Sequence, residues 1–136
     1  MLKILIGKKG TGKTKTLIEN VNNTVSEAEG NVVFISNDTS RHIYDIKHNV
    51  RMVDTSEFDI DNYDEFYGFV CGIVSGNFDI TNIFVDSLFK IVNDSLVDFE
   101  LFLNNIEKLS EKFNISFLFT LSIDEAAAPE YIKKYV

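Results

Sequence analysis

The sequence predicts an α/β protein in three layers: a mainly parallel five-stranded sheet with helices on both faces. Three observations lead there. Short apolar runs recur along the 136-residue chain, separated by segments with helical spacing. Runs such as Val32-Val33-Phe34-Ile35 and Ile83-Phe84-Val85 are continuous rather than alternating, so both faces of each strand are covered, as in a parallel sheet. The first run enters a glycine-rich turn that leads directly into a helix.

The elements follow in order. Leu2, Ile4, Leu5 and Ile6 form the first strand, and Leu17, Ile18 and Val21 mark one side of the helix behind the turn. Asn31 to Ser36 is the second buried strand. Ile43, Ile46 and Val50 are spaced for a short helix, and Met52-Val53 for a brief third strand ending at Asp54-Thr55-Ser56. From about 62 to 75, Phe66, Phe69, Val70, Ile73 and Val74 have helical spacing. Gly68 and Gly72 cost that helix stability and are compatible with a helix lying very close to the sheet. Ile83, Phe84 and Val85 form a fourth strand ending in Asp86. The clearest helix runs from about Asp94 to Lys112, with Phe99, Phe102, Leu103, Ile106, Leu109 and Phe113 on one face and Ser95 with Asp98 as a capping pair. Ile115 to Leu121 is the fifth strand, and Pro129 precedes a short tail. No linker, repeat or low-complexity tract divides the chain, so residues 1–136 form one domain.

Composition narrows the classes of function. A net charge of −8 argues against non-specific nucleic-acid binding. No apolar run is long enough to span a membrane, and the first residues read as a strand rather than a signal peptide. The single Cys71 has no internal partner, which fits a reducing cytoplasm, and its apolar surroundings mark it as a core residue. Neither His42 nor His48 has a companion at ligand spacing, so both read as surface or structural residues. Arg41 and Arg51 are the sole arginines.

The turn itself carries chemistry. Gly7-Lys8-Lys9-Gly10-Thr11-Gly12-Lys13-Thr14 is a complete G-x-x-x-x-G-K-[ST] phosphate-binding pattern in its strand–turn–helix context. Glycines let the backbone approach phosphates without a Cβ in the way. The N–H groups from about Lys8 to Thr14 then converge on the β-phosphate, aided by the positive helix end. Lys13 reaches the β- and γ-phosphates, and the Thr14 hydroxyl is placed to ligate Mg²⁺. Lys8 and Lys9 read as positive charge near a polyanion; a Lys at the position of Lys8 also resembles the loop of the ParA/MinD group of ATPases, which implies a contact across a dimer.

In a parallel sheet the chemistry lies at the carboxyl ends of the strands. Asp86 ends the fourth strand, where a Mg²⁺-assisting carboxylate belongs, although the same pattern serves as a helix cap. Asp38, just past the second strand, is placed to hold an attacking water, but Asn37-Asp38-Thr39 is equally a turn signature. Thr120 and Ser122, at the fifth strand, either touch the γ-phosphate or satisfy backbone groups.

Together these motifs resemble the RecA/KaiC-type ATPase core, within the P-loop NTPases. The glycine-rich turn is similar to that family's loop. Phe34-Ile35-Ser36-Asn37-Asp38-Thr39 stands where KaiC-like proteins carry an apolar strand followed by Glu-Glu-Thr, and Ile83-Phe84-Val85-Asp86-Ser87-Leu88 resembles the family's apolar-Asp-Ser-Leu/Val strand end. The resemblance covers most of the chain and implies ATP and Mg²⁺ as ligands, with strand order 3-2-4-5-1. It departs in two places. Asp38 is one methylene shorter than the catalytic Glu it would replace, leaving the carboxylate roughly 1 Å short. The family's later strands have no room after the fifth, so the first strand would be an open edge, to be covered by the tail from Ala126 to Val136, a second copy or a partner chain.

The expected function is therefore Mg²⁺–ATP binding with slow or partner-dependent hydrolysis, in a switch or an assembly subunit. No Asn/Thr-Lys-x-Asp motif is present to read guanine. A ParA/MinD-like dimeric ATPase is supported by Lys8 and opposed by Asp86-Ser87-Leu88, which does not resemble that group's Asp-x-Pro/Ala-x-Gly. A small-molecule kinase is disfavoured by the scarcity of arginine.

Overall fold

The computed structural model describes residues 1–93 and 96–136. The strands β1 (Leu2–Gly7), β2 (Asn31–Ser36), β3 (Arg51–Asp54), β4 (Ile80–Val85) and β5 (Ser116–Ser122) join in one sheet, every neighbouring pair parallel. Its order is β1-β5-β4-β2-β3. Counted from the β3 edge, the same sheet runs 3-2-4-5-1. The helices are α1 (Lys13–Glu27), α2 (Tyr63–Ser75), α3 (Leu88–Ile91), α4 (Phe99–Phe113) and α5 (Glu130–Lys133).

Period-two alternation along the strands feeds two cores. On one face Val32, Phe34 and Phe84 pack with Leu17 and Val21 of α1. On the other, Val33, Ile35, Ile83, Val85, Phe117 and Phe119 pack with Phe66 and Val70 of α2 and Phe102, Leu103 and Ile106 of α4. Phe99 is fully buried at the centre of the aromatic group, its ring 5.3 Å from Tyr63 and 5.5 Å from Phe89. Truncating such a ring costs about 3–5 kcal/mol, so this cluster holds the start of α4 against α2 and α3.

Helix ends follow local chemistry where the side chains allow it. Asn62 Oδ1 accepts from the Glu65 N–H at 2.8 Å, and Glu65 Oε1 accepts from the Asp61 N–H at 2.8 Å, a reciprocal cap that starts α2. Helix α4 begins behind Asp98, which has a left-handed φ of 64° and makes no side-chain cap. The Asp94 and Ser95 end of the expected helix, with its Ser95–Asp98 pair, lies outside the described residues.

Two expectations need correction. The segment carrying Ile43, Ile46 and Val50 is not a helix. A 3₁₀ turn at Thr39–Arg41 leads into further turns, with Ile46 and Val50 buried and Ile43 exposed. The reason lies in α1: the Asn22 side chain donates to Asp45 O at 2.8 Å and accepts from Lys47 N–H at 3.0 Å, taking up backbone groups that a helix would pair internally. Gly68 and Gly72 are not there for close packing, since a Cβ at either would meet nothing within 4 Å. The close approach is at Gly30, where a Cβ would stand 2.2 Å from Asp79 O.

At the β1 edge, the chain's own tail is seated. Ile4 N–H donates to Tyr135 O at 2.9 Å, Ile132 and Tyr135 are buried, and the Tyr135 hydroxyl donates to Glu107 of α4. No helix among the described residues is long and apolar enough to cross a membrane.

Candidate functional site

The carboxyl ends of β1, β2, β4 and β5 surround a cleft of about 340 Å³. Lys9, Gly10, Gly12, Lys13 and Thr14 line it from the glycine-rich loop. Ser36, Asn37, Asp38, Arg41 and His42 form the wall behind β2, and Asp86, Ser87 and Lys90 the wall behind β4, with Ser122 at the end of β5.

The loop's shape follows from its glycines. Gly10 and Gly12 have φ of +83° and +84°, a region that side chains with a Cβ disfavour. Gly12 stands at the start of α1 and offers no side-chain cap, and no acidic residue occupies the first turn. The first N–H groups of a 15-residue helix thus meet the cleft with an uncompensated positive end, which suits an anion. Gly7 and Thr11 shape the loop from outside the cleft: the Thr11 hydroxyl donates to Lys8 O at 2.8 Å, and a Cβ at Gly7 would lie 2.6 Å from it. Lys13 Nζ donates to the same Lys8 carbonyl at 2.9 Å. Burial lowers the Lys13 pKa from its ordinary value; the Asp86 charge raises it, and Lys90 lowers it again. Lys8 does not line the cleft; its exposed ammonium pairs with Asp124 at 3.5 Å.

Asp86 is the centre of the polar network and is nearly buried. Its backbone N–H donates to Ile35 O of β2 at 2.9 Å, which ties the end of β4 to its sheet neighbour. Oδ1 accepts from the Thr14 hydroxyl at 3.0 Å and from the Thr120 hydroxyl at 3.0 Å. The Thr120 oxygen in turn accepts from the Ser87 N–H at 2.7 Å. Ser87 itself sits at a left-handed φ of 54°, a strain of order 1 kcal/mol held in place by that bond. Of the two readings of Thr120, its placement fits a hydroxyl that satisfies a backbone group rather than a phosphate contact: it is buried, does not line the cleft, and accepts from Ser87 N–H while donating to Asp86. Ser122, two residues on, is the hydroxyl that reaches the cleft.

Asp38 lines the cleft as expected, and its Oδ1 accepts from the Ser40 hydroxyl at 2.6 Å. The wall that carries it is clamped by Asp54 at the end of β3. Asp54 Oδ2 accepts from Thr39 N–H and Thr39 Oγ1, both at 3.1 Å, and Oδ1 accepts from the N–H and hydroxyl of Ser56.

Three residues of the site were missed in the sequence. His42, read as surface or structural, is buried, with Nε2 3.8 Å from Asp86 Oδ2 and its ring edge-on to Phe34. Arg41 and Lys90 also line the cleft, behind the neighbouring strands β2 and β4. Reading the post-strand segments as far as Ser40-Arg41-His42 and Lys90, rather than stopping at the first polar residues, would have collected all three.

A divalent cation fits this donor set. The Thr14 hydroxyl and the Asp86 carboxylate, joined here by a 3.0 Å hydrogen bond, are the oxygen donors that would hold it. Among the described residues, no group of three or more His, Cys, Asp or Glu side chains is arranged to hold a metal alone. A cation here would draw its other ligands from water and phosphate oxygens, which is the habit of Mg²⁺. No protein-family model matches this chain, and no curated protein matches it significantly.

Proposed function

We propose that the chain is a P-loop protein of the RecA/KaiC-like kind that binds Mg²⁺–ATP, hydrolyses it slowly or only with a partner, and acts as a switch or assembly subunit. One observation carries the reading: Thr14 and Asp86, 72 positions apart, meet at 3.0 Å beside a loop with two left-handed glycines and a bare helix N-terminus. Loop N–H groups and Lys13 hold the β- and γ-phosphates. Thr14 and Asp86 hold Mg²⁺, which when bound neutralises phosphate charge.

Asp38 positions the attacking water and takes its proton. As the water oxygen bonds the γ-phosphorus, the bond from that phosphorus to the β,γ-bridging oxygen breaks, and ADP leaves with the electron pair. The short Asp38 side chain keeps this slow, since a misplacement of roughly 1 Å costs about a hundredfold in rate.

A ParA/MinD-like contact across a dimer is supported less, because Lys8 is engaged by Asp124 of its own chain. A second reading, transfer of the phosphoryl group to a small molecule, has one observation in its favour. An apolar slot of about 340 Å³ lined by Phe89, Leu96 and Ile123 shares Lys9, Ser87, Lys90 and Ser122 with the cleft.

The test is phosphate release from Mg²⁺–ATP with protein in excess, with Lys13→Ala as the blank. Removing that charge-assisted contact should weaken ATP binding by roughly ten- to a hundredfold in calorimetry. Unchanged affinity in Lys13→Ala would rule the site out. Release of phosphate above the blank without any acceptor would favour hydrolysis over transfer.

A further inference from the structure

We propose that Arg41 and Lys90, from the same chain that holds Lys13, are the cations that meet the charge of the terminal phosphoryl group in the transition state, so that the cleft needs none from a second copy. The inference rests on the Mg²⁺–triphosphate reading and deepens it.

The charge distribution is the first support. The chain carries a net charge of −8, yet Lys9, Lys13, Arg41 and Lys90 converge on one cleft whose lining holds, among the described residues, two carboxylates, Asp38 and Asp86. Both carboxylates already accept hydroxyl hydrogen bonds, Asp38 from Ser40 and Asp86 from Thr14 and Thr120. Like charges gathered this closely repel unless a polyanion lies between them.

Placement is the second. Arg41 and Lys90 are exposed and make no ion pair among the described residues, so neither charge is committed to holding the fold. Both line the cleft, Arg41 from the segment behind β2 and Lys90 from the segment behind the neighbouring β4. Arg41 closes the 3₁₀ turn whose first residue, Thr39, is fixed by two hydrogen bonds to Asp54. Lys90 lies on α3, whose Leu88, Phe89 and Ile91 are buried, and its N–H donates to Ser87 O at 2.9 Å. Hydrogen bonds and buried neighbours thus hold the backbone beside each exposed cation. A guanidinium offers paired N–H groups that match phosphate oxygens, while an ammonium acts as a point charge. As the γ-phosphorus leaves the bridging oxygen for the water oxygen, negative charge develops on the bridging and equatorial oxygens, and two further cations lining the cleft stabilise it without proton transfer.

The test compares Mg²⁺–ADP binding with and without aluminium fluoride, which mimics the transferring phosphoryl group, in wild type, Arg41→Ala and Lys90→Ala. Wild type should bind ADP more tightly with the fluoride, as a monomer by sedimentation. Each variant should keep its ADP affinity within about threefold and its melting temperature, yet lose at least about tenfold of the added affinity, with Arg41→Lys intermediate. Full tightening in both alanine variants overturns the inference, as does tightening that appears only in a wild-type dimer. A fluoride that adds nothing to wild-type affinity also overturns it. Failure of wild type to bind Mg²⁺–ADP at all would bring down the triphosphate reading itself, and this inference with it.

Discussion

Asp86 shows how much one carboxylate organises. Its Oδ1 is shared by Thr14 and Thr120, and Oδ2 faces the His42 ring. In Asp86→Asn the amide oxygen still accepts from both hydroxyls, but the charge that would favour a cation is gone. ATP affinity measured by calorimetry should fall by about tenfold or more with Mg²⁺ and change little with EDTA. Equal loss in both conditions would remove the metal role. Asp54 makes a pH-dependent contribution at the same scale. Hydrogen bonds from Ser56, and further ones from Thr39, outweigh desolvation and hold its pKa below the ordinary 3.8. A depressed folded-state pKa means stability that is present above the unfolded value and lost as pH falls through the folded one. Asp54→Asn should therefore be less stable than wild type in urea at pH 7, and the difference should shrink steadily below about pH 4. A difference that stays constant into acid would show that the charge of Asp54 contributes nothing.

Among the elements, α2 is the least well served by its own sequence. Gly68 and Gly72 sit in its interior on the exposed side and have no contact that a methyl group would disturb. Gly68→Ala should raise stability by roughly 0.5–1 kcal/mol, a melting-temperature rise of about 3 °C read by circular dichroism. An unchanged or lower melting temperature would mean that helix propensity is not limiting there. The glycine-rich loop obeys the opposite logic, because Gly10 and Gly12 occupy left-handed conformations that the turn requires. The turn segment behind β2 shows tertiary contacts overriding helical spacing, through the Asn22 side chain of α1.

For the whole molecule, the open question of a parallel sheet is its edges. β1 is bonded to β5 on one side, and on the other Ile4 N–H meets the Tyr135 carbonyl of the tail. The buried Ile132 seats that tail, so Ile132→Asp should unseat it and bare a row of strand N–H and C=O groups. The expected result is lower stability together with species larger than the monomer in sedimentation velocity. A variant that remains folded and monomeric would show that the tail does not guard this edge.

Local chemistry made much of the protein legible. Continuous apolar runs encode strands buried on two faces, and Gly7–Thr14 encodes a turn that few other residue combinations can form. Asp86 was visible because a strand delivers its last residue to a known end of the sheet. What only the tertiary structure decided is convergence. Thr120 turned inward to Asp86 because β5 lies beside β4, and His42 and Arg41 reached the cleft because β2 lies on β4's other side. Those neighbours are chosen by the packing of both cores, a global balance that no window of the sequence contains. Spacing along the chain specifies which way a side chain faces on its own element, whereas the partner it meets is set by elements tens of residues away.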